Sequence, residues 1–253
     1  MSAVRSPWLV GLATALAACL ILLGQSARHG FDPTTWIAAG HDNAAVDRVP
    51  DGAVRVPDTG YDGQFYFALA RDPLVIDPAT EAALDTPVYR AQRVLLPALT
   101  WAVSGGGNPV AAAWAMGIIN MIALGLLSAV IGLFAIRAGV SAWFGLAVGL
   151  LPGLVMAAVR DLTEPVALAT LAGALWLREH APPWAYGSAL ALAMLGRESL
   201  AVIVVALLVL DAVRRQPGRA LAAGGALTAF ALWQTWLTVH LGEPGIMASG
   251  PGT

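Results

Sequence analysis

Apolar residues fall into seven blocks, at about 8–26, 109–136, 140–159, 165–178, 182–196, 199–212 and 218–239. A helix needs roughly 20 apolar residues to cross the hydrocarbon core. The blocks therefore predict an all-α integral membrane protein of about seven transmembrane helices, read as one membrane domain over residues 1–253. An eighth run, Val94 to Val103, contains Pro97 and stops at Ser104-Gly-Gly-Gly107, which leaves it too short to span. The outlier is the first loop, residues 27–108, which carries ten acids against six arginines. Up to Pro57 it is punctuated by Gly, Pro and Asp without periodicity, which predicts irregular backbone. Beyond that, Phe65, Ala68 and Leu69 recur at helical spacing, and Tyr89 to Val103 reads as a second helix. Both helices are predicted to lie along the membrane surface with their apolar faces in lipid.

Composition supports the membrane class. Charged residues make up 12% of the 253 positions and hydrophobic ones 58%, whereas soluble domains are about one-quarter charged. A net charge of −2 offers no basic face to nucleic acid. The one cysteine, Cys19, excludes a disulfide framework. Leu16-Ala-Ala-Cys19 has the form of a lipoprotein cleavage box, and Gln25-Ser-Ala27 that of a signal-peptidase site. The apolar run continues through Leu20-Ile-Leu-Leu23, so the first block is read as an uncleaved span. All 14 basic residues are arginine, and they orient the chain. With residues 94–103 kept in the interface, Arg5, Arg137, Arg178, Arg214, Arg215 and Arg219 share one side, the pattern of cytoplasmic loops. That puts the N-terminus inside, and loop 27–108 and the tail 240–253 outside.

Four polar clusters then converge on the outer face. The first is Asp58 to Tyr66, where a carboxylate near a low-dielectric surface suits a general base; its bland reading is a turn and helix start. Tyr89-Arg90-Ala-Gln-Arg93 sets two guanidiniums three residues apart, suited to a phosphate head group or to lipid phosphates generally. Arg160-Asp161-Leu-Thr-Glu164-Pro165 has capping-box spacing, yet holds more ionisable groups than a cap needs. Arg197-Glu198, between two apolar runs, either neutralise one another in a tight hairpin or face a cavity. The four histidines show no ligand spacing, so a divalent metal would need carboxylates such as Asp62, Asp161 or Glu164.

The series Tyr61-Asp62-Gly63-Gln64-Phe65-Tyr66, Ala70-Arg71-Asp72-Pro73, Tyr89-Arg90-x-x-Arg93-x-Leu-x-Pro97, Arg160-Asp161-Leu-Thr-Glu164-Pro165 and Arg197-Glu198 resembles bacterial membrane proteins of cell-surface glycopolymer formation. These in turn resemble the GT-C superfamily of glycosyltransferases. The similarity runs from the first span to about Trp236. It implies a multi-pass protein of the bacterial inner membrane that takes sugar from a polyprenyl-phosphate carrier and passes it to a glycan, lipid or protein acceptor outside the cytoplasm. It implies Asp62 as the loop acid that acts as base, with Asp58 a nearby rival and Tyr61, Gln64 and Tyr66 beside the substrate. Arg90 and Arg93 would contact the carrier phosphate and Arg197 would be a second phosphate contact; Asp161 and Glu164 would line the donor or metal side, and Arg160 and Glu198 would belong to the substrate-binding set. Many GT-C enzymes continue into further spans or a soluble domain. The short tail after the seventh block therefore suggests a minimal core, a fragment, or a subunit that needs a partner. A lipid-linked-glycan flippase and a non-catalytic assembly subunit are the rival readings.

Overall fold

A computed structural model describes residues 6–41, 49–57 and 59–245; it is 74% helical, which makes the chain all-α. Helix α1 (Pro7–Ser26) begins with proline, whose missing N–H would be unpaired in a first turn anyway. The stretch expected to be irregular holds two short parallel strands, β1 (Ala38–Gly40) and β2 (Val54–Val56). Four short helices complete the loop: α2 (Gly63–Arg71), α3 (Pro78–Ala82), α4 (Pro87–Ala91) and α5 (Leu95–Ser104). The predicted helix from Tyr89 to Val103 is thus two helices. Pro97 has no N–H to continue a helix from Arg93, but is tolerated in the first turn of α5.

Asn108 accepts from the N–H groups of Val110 and Ala111 and so starts α6 (Pro109–Arg137). The next apolar block is split into α7 (Phe144–Gly149) and α8 (Pro152–Val159). Pro152 forces Leu151 into extended backbone (ψ 129°), which separates the halves. Helices α9 (Glu164–His180) and α10 (Pro183–Gly196) follow, then a 3₁₀ turn (Glu198–Leu200), α11 (Ala201–Val213) and α12 (Pro217–Leu241). Residues 7–29 and α6 are each long and apolar enough to cross a membrane.

Small residues set how the helices meet. Helix α1 runs antiparallel to α6, with Pro7 beside Gly132 and Gly11 beside Gly125; a Cβ on Gly125 would lie 2.9 Å from the Gly11 carbonyl oxygen. Gly145 and Gly149 of α7 lie over Ser128, where a side chain would overlap its carbonyl and hydroxyl. Asn120 Nδ2 donates to the Leu162 carbonyl at 3.2 Å. Asn120 is eleven residues into α6, about 16 Å from its start at ~1.5 Å per residue. The α8–α9 turn is therefore recessed along α6, whose first turns are covered by the loop helices instead.

That cover corrects the surface-helix expectation for α2. Residues Gly63 to Ala70 are all buried, and Phe65, Phe67 and Leu69 pack with Leu96 of α5 and with Ala112, Ala113 and Met116 of α6. Each such burial contributes about 1.5–3 kcal/mol. Helix α5 keeps one open face, with Trp101 and Val103 exposed. At the far end of the bundle, Arg178 of α9 pairs with Asp211 of α11, which also accepts from the Tyr186 hydroxyl of α10 (3.4 Å).

Candidate functional site

The site begins where α2 meets the α8–α9 turn. Gly63 is the contact point, because a Cβ there would overlap the Arg160 carbonyl oxygen and come 3.4 Å from Asp161 Cβ. Gly63→Ala should therefore push α2 away from the turn and lower stability by about 1–3 kcal/mol, read as the unfolding midpoint of the purified protein in lipid. Asp62 precedes it at the N-cap but does not use its carboxylate to cap the helix. The carboxylate instead meets Arg90 Nη1 at 2.7 Å and remains 41% exposed, so an incoming group can reach it.

The neighbours of Asp62 divide into scaffold and surface. Gln64 is buried; its Nε2 donates to the carbonyls of Thr59 (2.7 Å) and Tyr61 (3.0 Å), and its Oε1 accepts from the Gly40 N–H (3.2 Å). It ties α2 to β1 and faces no open space, contrary to the substrate-binding expectation. Tyr61 is exposed, with the Arg160 guanidinium 5.2 Å from its ring. Tyr66 is buried, and its hydroxyl accepts from Arg93 Nη1 at 3.0 Å. Burial pushes the Tyr66 phenol up, against the pull of Arg93. Asp58 lies outside the described residues.

Arg90 and Arg93 were expected to contact the carrier phosphate. Both already have acidic partners. Arg90 places Nε and Nη2 on the two oxygens of Asp85, each at 2.8 Å, and packs 4.4 Å from the Phe65 ring centroid. Arg93 forks onto both oxygens of Glu198 at 2.8 and 2.7 Å, and its Nη2 also donates to the Tyr89 hydroxyl at 2.8 Å. Burial alone would push the Glu198 carboxyl up, but the hydrogen bonds and charge of Arg93 hold it below the usual carboxylate range. Arg197 pairs with Glu164, not with Glu198. Extended backbone at Arg197 (φ −156°, ψ 116°) turns successive side chains opposite ways, so the two residues serve different partners.

The α8–α9 turn is the least satisfied part of the site. Asp161 sits in the left-handed region (φ 54°) and is fully buried, with neither carboxylate oxygen hydrogen-bonded to a described residue. Arg160 Nε and Nη1, Thr163 Oγ1 and Glu164 Oε2 are also buried without partners among the described residues. The capping box does not form: Thr163 is the N-cap of α9, it makes no side-chain cap, and the turn at Asp161 aims its carboxylate elsewhere. Burial pushes the Asp161 carboxyl well above the usual range, and Arg160 lowers it only in part. An acid with a raised folded pKa stabilises the fold at low pH and loses that contribution as pH rises. Above about pH 3.9, the wild type should lose up to about 1.4 kcal/mol per pH unit relative to Asp161→Asn until the folded pKa is passed. Unfolding midpoints of the two proteins from pH 4 to pH 9 would test this; parallel curves would refute it.

Asp62, Arg90, Arg93, Glu198, Glu164, Arg197, Arg160 and Asp161 are thus joined through α2, α4 and two turns. Among the described residues, no three His, Cys, Asp or Glu side chains form a metal-ligand group. Asp62, Glu164 and Glu198 are each paired with an arginine, whereas both oxygens of Asp161 and Oε2 of Glu164 have no partner among the described residues. Sequence reasoning missed Asp85, whose only signal was its place five residues before Arg90. It also missed Gln92 and Gln234, buried amides with unpartnered oxygens. Beside Glu198, a cavity of about 330 Å³ opens between α4, α11 and α12. In comparisons with known proteins, the chain matches no family model, no curated protein and no solved structure.

Proposed function

We propose that the chain is a GT-C-type membrane glycosyltransferase that moves a sugar from a polyprenyl-phosphate carrier to an acceptor hydroxyl outside the cytoplasm. In this reading seven helical segments span the bacterial inner membrane, with α7 and α8 together forming the third, and the N-terminus is cytoplasmic. Arg137 ends α6, Arg178 lies in the last turn of α9, Arg214 and Arg215 follow α11 and Arg219 lies in the first turn of α12, the helix ends that this reading assigns to the cytoplasm. The observation that carries the proposal is the junction, at the opposite end, of an accessible acid with unpartnered guanidinium N–H groups across the Gly63–Arg160 contact.

Asp62 takes the proton of the acceptor hydroxyl as that oxygen bonds the anomeric carbon. The bond from this carbon to the carrier phosphate breaks, and the phosphate leaves with the electron pair. Arg160, with two N–H groups unpartnered, replaces Arg90 and Arg93 as the group best placed to stabilise the departing phosphate. One base without a second carboxylate nucleophile corresponds to inversion. Arg90 stays on Asp62 and Asp85 and keeps the base oriented.

The test is sugar release or transfer from a panel of polyprenyl-phosphate sugars by purified protein in lipid. Turnover of any donor supports the transferase. A competing reading, a subunit that needs a partner, is favoured by the full pairing of Arg90, Arg93 and Arg197. Donor binding without turnover until a second protein is added would select it.

A further inference from the structure

The cavity beside Glu198 is lined by Tyr89 and Gln92 next to α4, Glu198 and Ser199 of the 3₁₀ turn, and Phe230 of α12. Gly245 closes one side. A Cβ at Gly245 would run into Gln234 Oε1 and lie 3.3 Å from Gln92 Oε1, so both amides face Gly245, which lines the cavity together with Gln92. Gln92 is 1% exposed and Gln234 7% exposed. Gln92 Oε1 and both Gln234 amide atoms have no hydrogen-bond partner among the described residues. Buried amides in this state call for a ligand that brings hydroxyl groups.

We infer that this cavity is a binding pocket for one neutral pyranose ring. Its volume of about 330 Å³ lies at the small end of the ligand-pocket range, about 300–1,000 Å³, which suits one ring better than two. An anion is the wrong occupant: among the described lining residues there is no cation, and the acid Glu198, held in a two-point pair by Arg93 behind it, lines the space. A lipid tail is wrong as well, since it would leave three amide atoms unpaired. Tyr89 and Phe230 supply flat apolar faces for the C–H side of a sugar ring, and the amides accept from and donate to its hydroxyls. The inference rests on the transferase reading only for its purpose, which is to hold the sugar of donor or acceptor across the Arg93–Glu198 pair from Asp62.

Saturation-transfer NMR of the purified protein in nanodiscs, with methyl pyranosides of several configurations, reads binding without requiring turnover. At least one pyranoside should receive saturation, and inorganic phosphate should not displace it. Gln92→Leu and Gln234→Leu should each weaken binding at least tenfold while leaving the unfolding midpoint level or higher, because each removes unsatisfied polar atoms. A purely structural role for the amides would lower the midpoint instead. Absence of pyranoside binding, displacement by phosphate, or unchanged binding in both leucine variants overturns the inference. Pyranoside binding with no donor turned over leaves the pocket standing and removes the transferase; turnover with a KM unaffected by either leucine variant does the reverse.

Discussion

Arg93→Ala is expected to destabilise the protein by about 3–5 kcal/mol, the usual result of stranding one member of a buried ion pair. The Arg93 side chain is 5% exposed and that of Glu198 22%, so little water can replace the lost guanidinium. The substitution also takes the donor from the Tyr66 and Tyr89 hydroxyls. Because Glu198 lies 105 positions from Arg93, the pair fastens the loop to the start of α11. Arg93→Lys should recover only part of the loss, since an ammonium cannot reproduce the two-point fork. The double change Arg93→Met with Glu198→Met removes both charges and should recover most of it. The pH dependence has a definite sign. The folded pKa of Glu198 is depressed, so its contribution is complete above the unfolded value near ~4.3 and disappears as pH falls through the folded value. The gap between wild type and the double variant should therefore shift in the variant's favour in acid. Unfolding midpoints in lipid at neutral and acidic pH check both points; an Arg93→Ala protein as stable as wild type would refute the assignment.

What was legible in the chain was periodic. Block lengths in apolar residues marked α1, α6 and α9 to α12 to within a few positions, because a helix that is apolar on most faces needs no tertiary information to be recognised. The environment of an apolar face was not legible. Phe65, Ala68 and Leu69 form the same pattern whether they meet lipid or the side of α6, and the deciding contacts lie some fifty residues away in sequence. Charge partners failed for the same reason. Arg197 and Glu198 are adjacent, but the backbone between them is extended, and each turns to a residue from a different segment. Pro152 and Pro97 did carry a readable signal, a missing N–H inside a predicted helix, and each coincides with a break or a helix start. Gly63 is the converse case. Its φ is not in the left-handed region, so nothing local requires glycine, and only the approach of the Arg160 carbonyl explains it.

Asp62→Asn should lower sugar transfer by about 10²–10⁴-fold, the range over which a positioned proton acceptor contributes, while leaving the fold intact. Three observations make the variant a clean probe. The side chain is 41% exposed, so the change does not create a buried void. It forms no helix cap, so α2 keeps its start. Arg90 retains its two-point contact with Asp85 and is not left as an unpaired buried cation. The loss should fall on kcat with KM little altered, because the proton is taken only as the acceptor attacks. Asp85→Asn is the informative companion. Arg90 is shared between Asp85 and Asp62, so weakening its hold on Asp85 leaves the guanidinium, and with it the Asp62 carboxylate, less firmly oriented. A residue that merely held the loop in place would show its effect in the unfolding midpoint. A residue that orients Asp62 through Arg90 would instead lower kcat with the unfolding midpoint unchanged, by a smaller factor than Asp62→Asn. Full activity in Asp62→Asn would remove the base from the mechanism and, with it, the functional meaning given to the Asp62–Arg90–Asp85 chain.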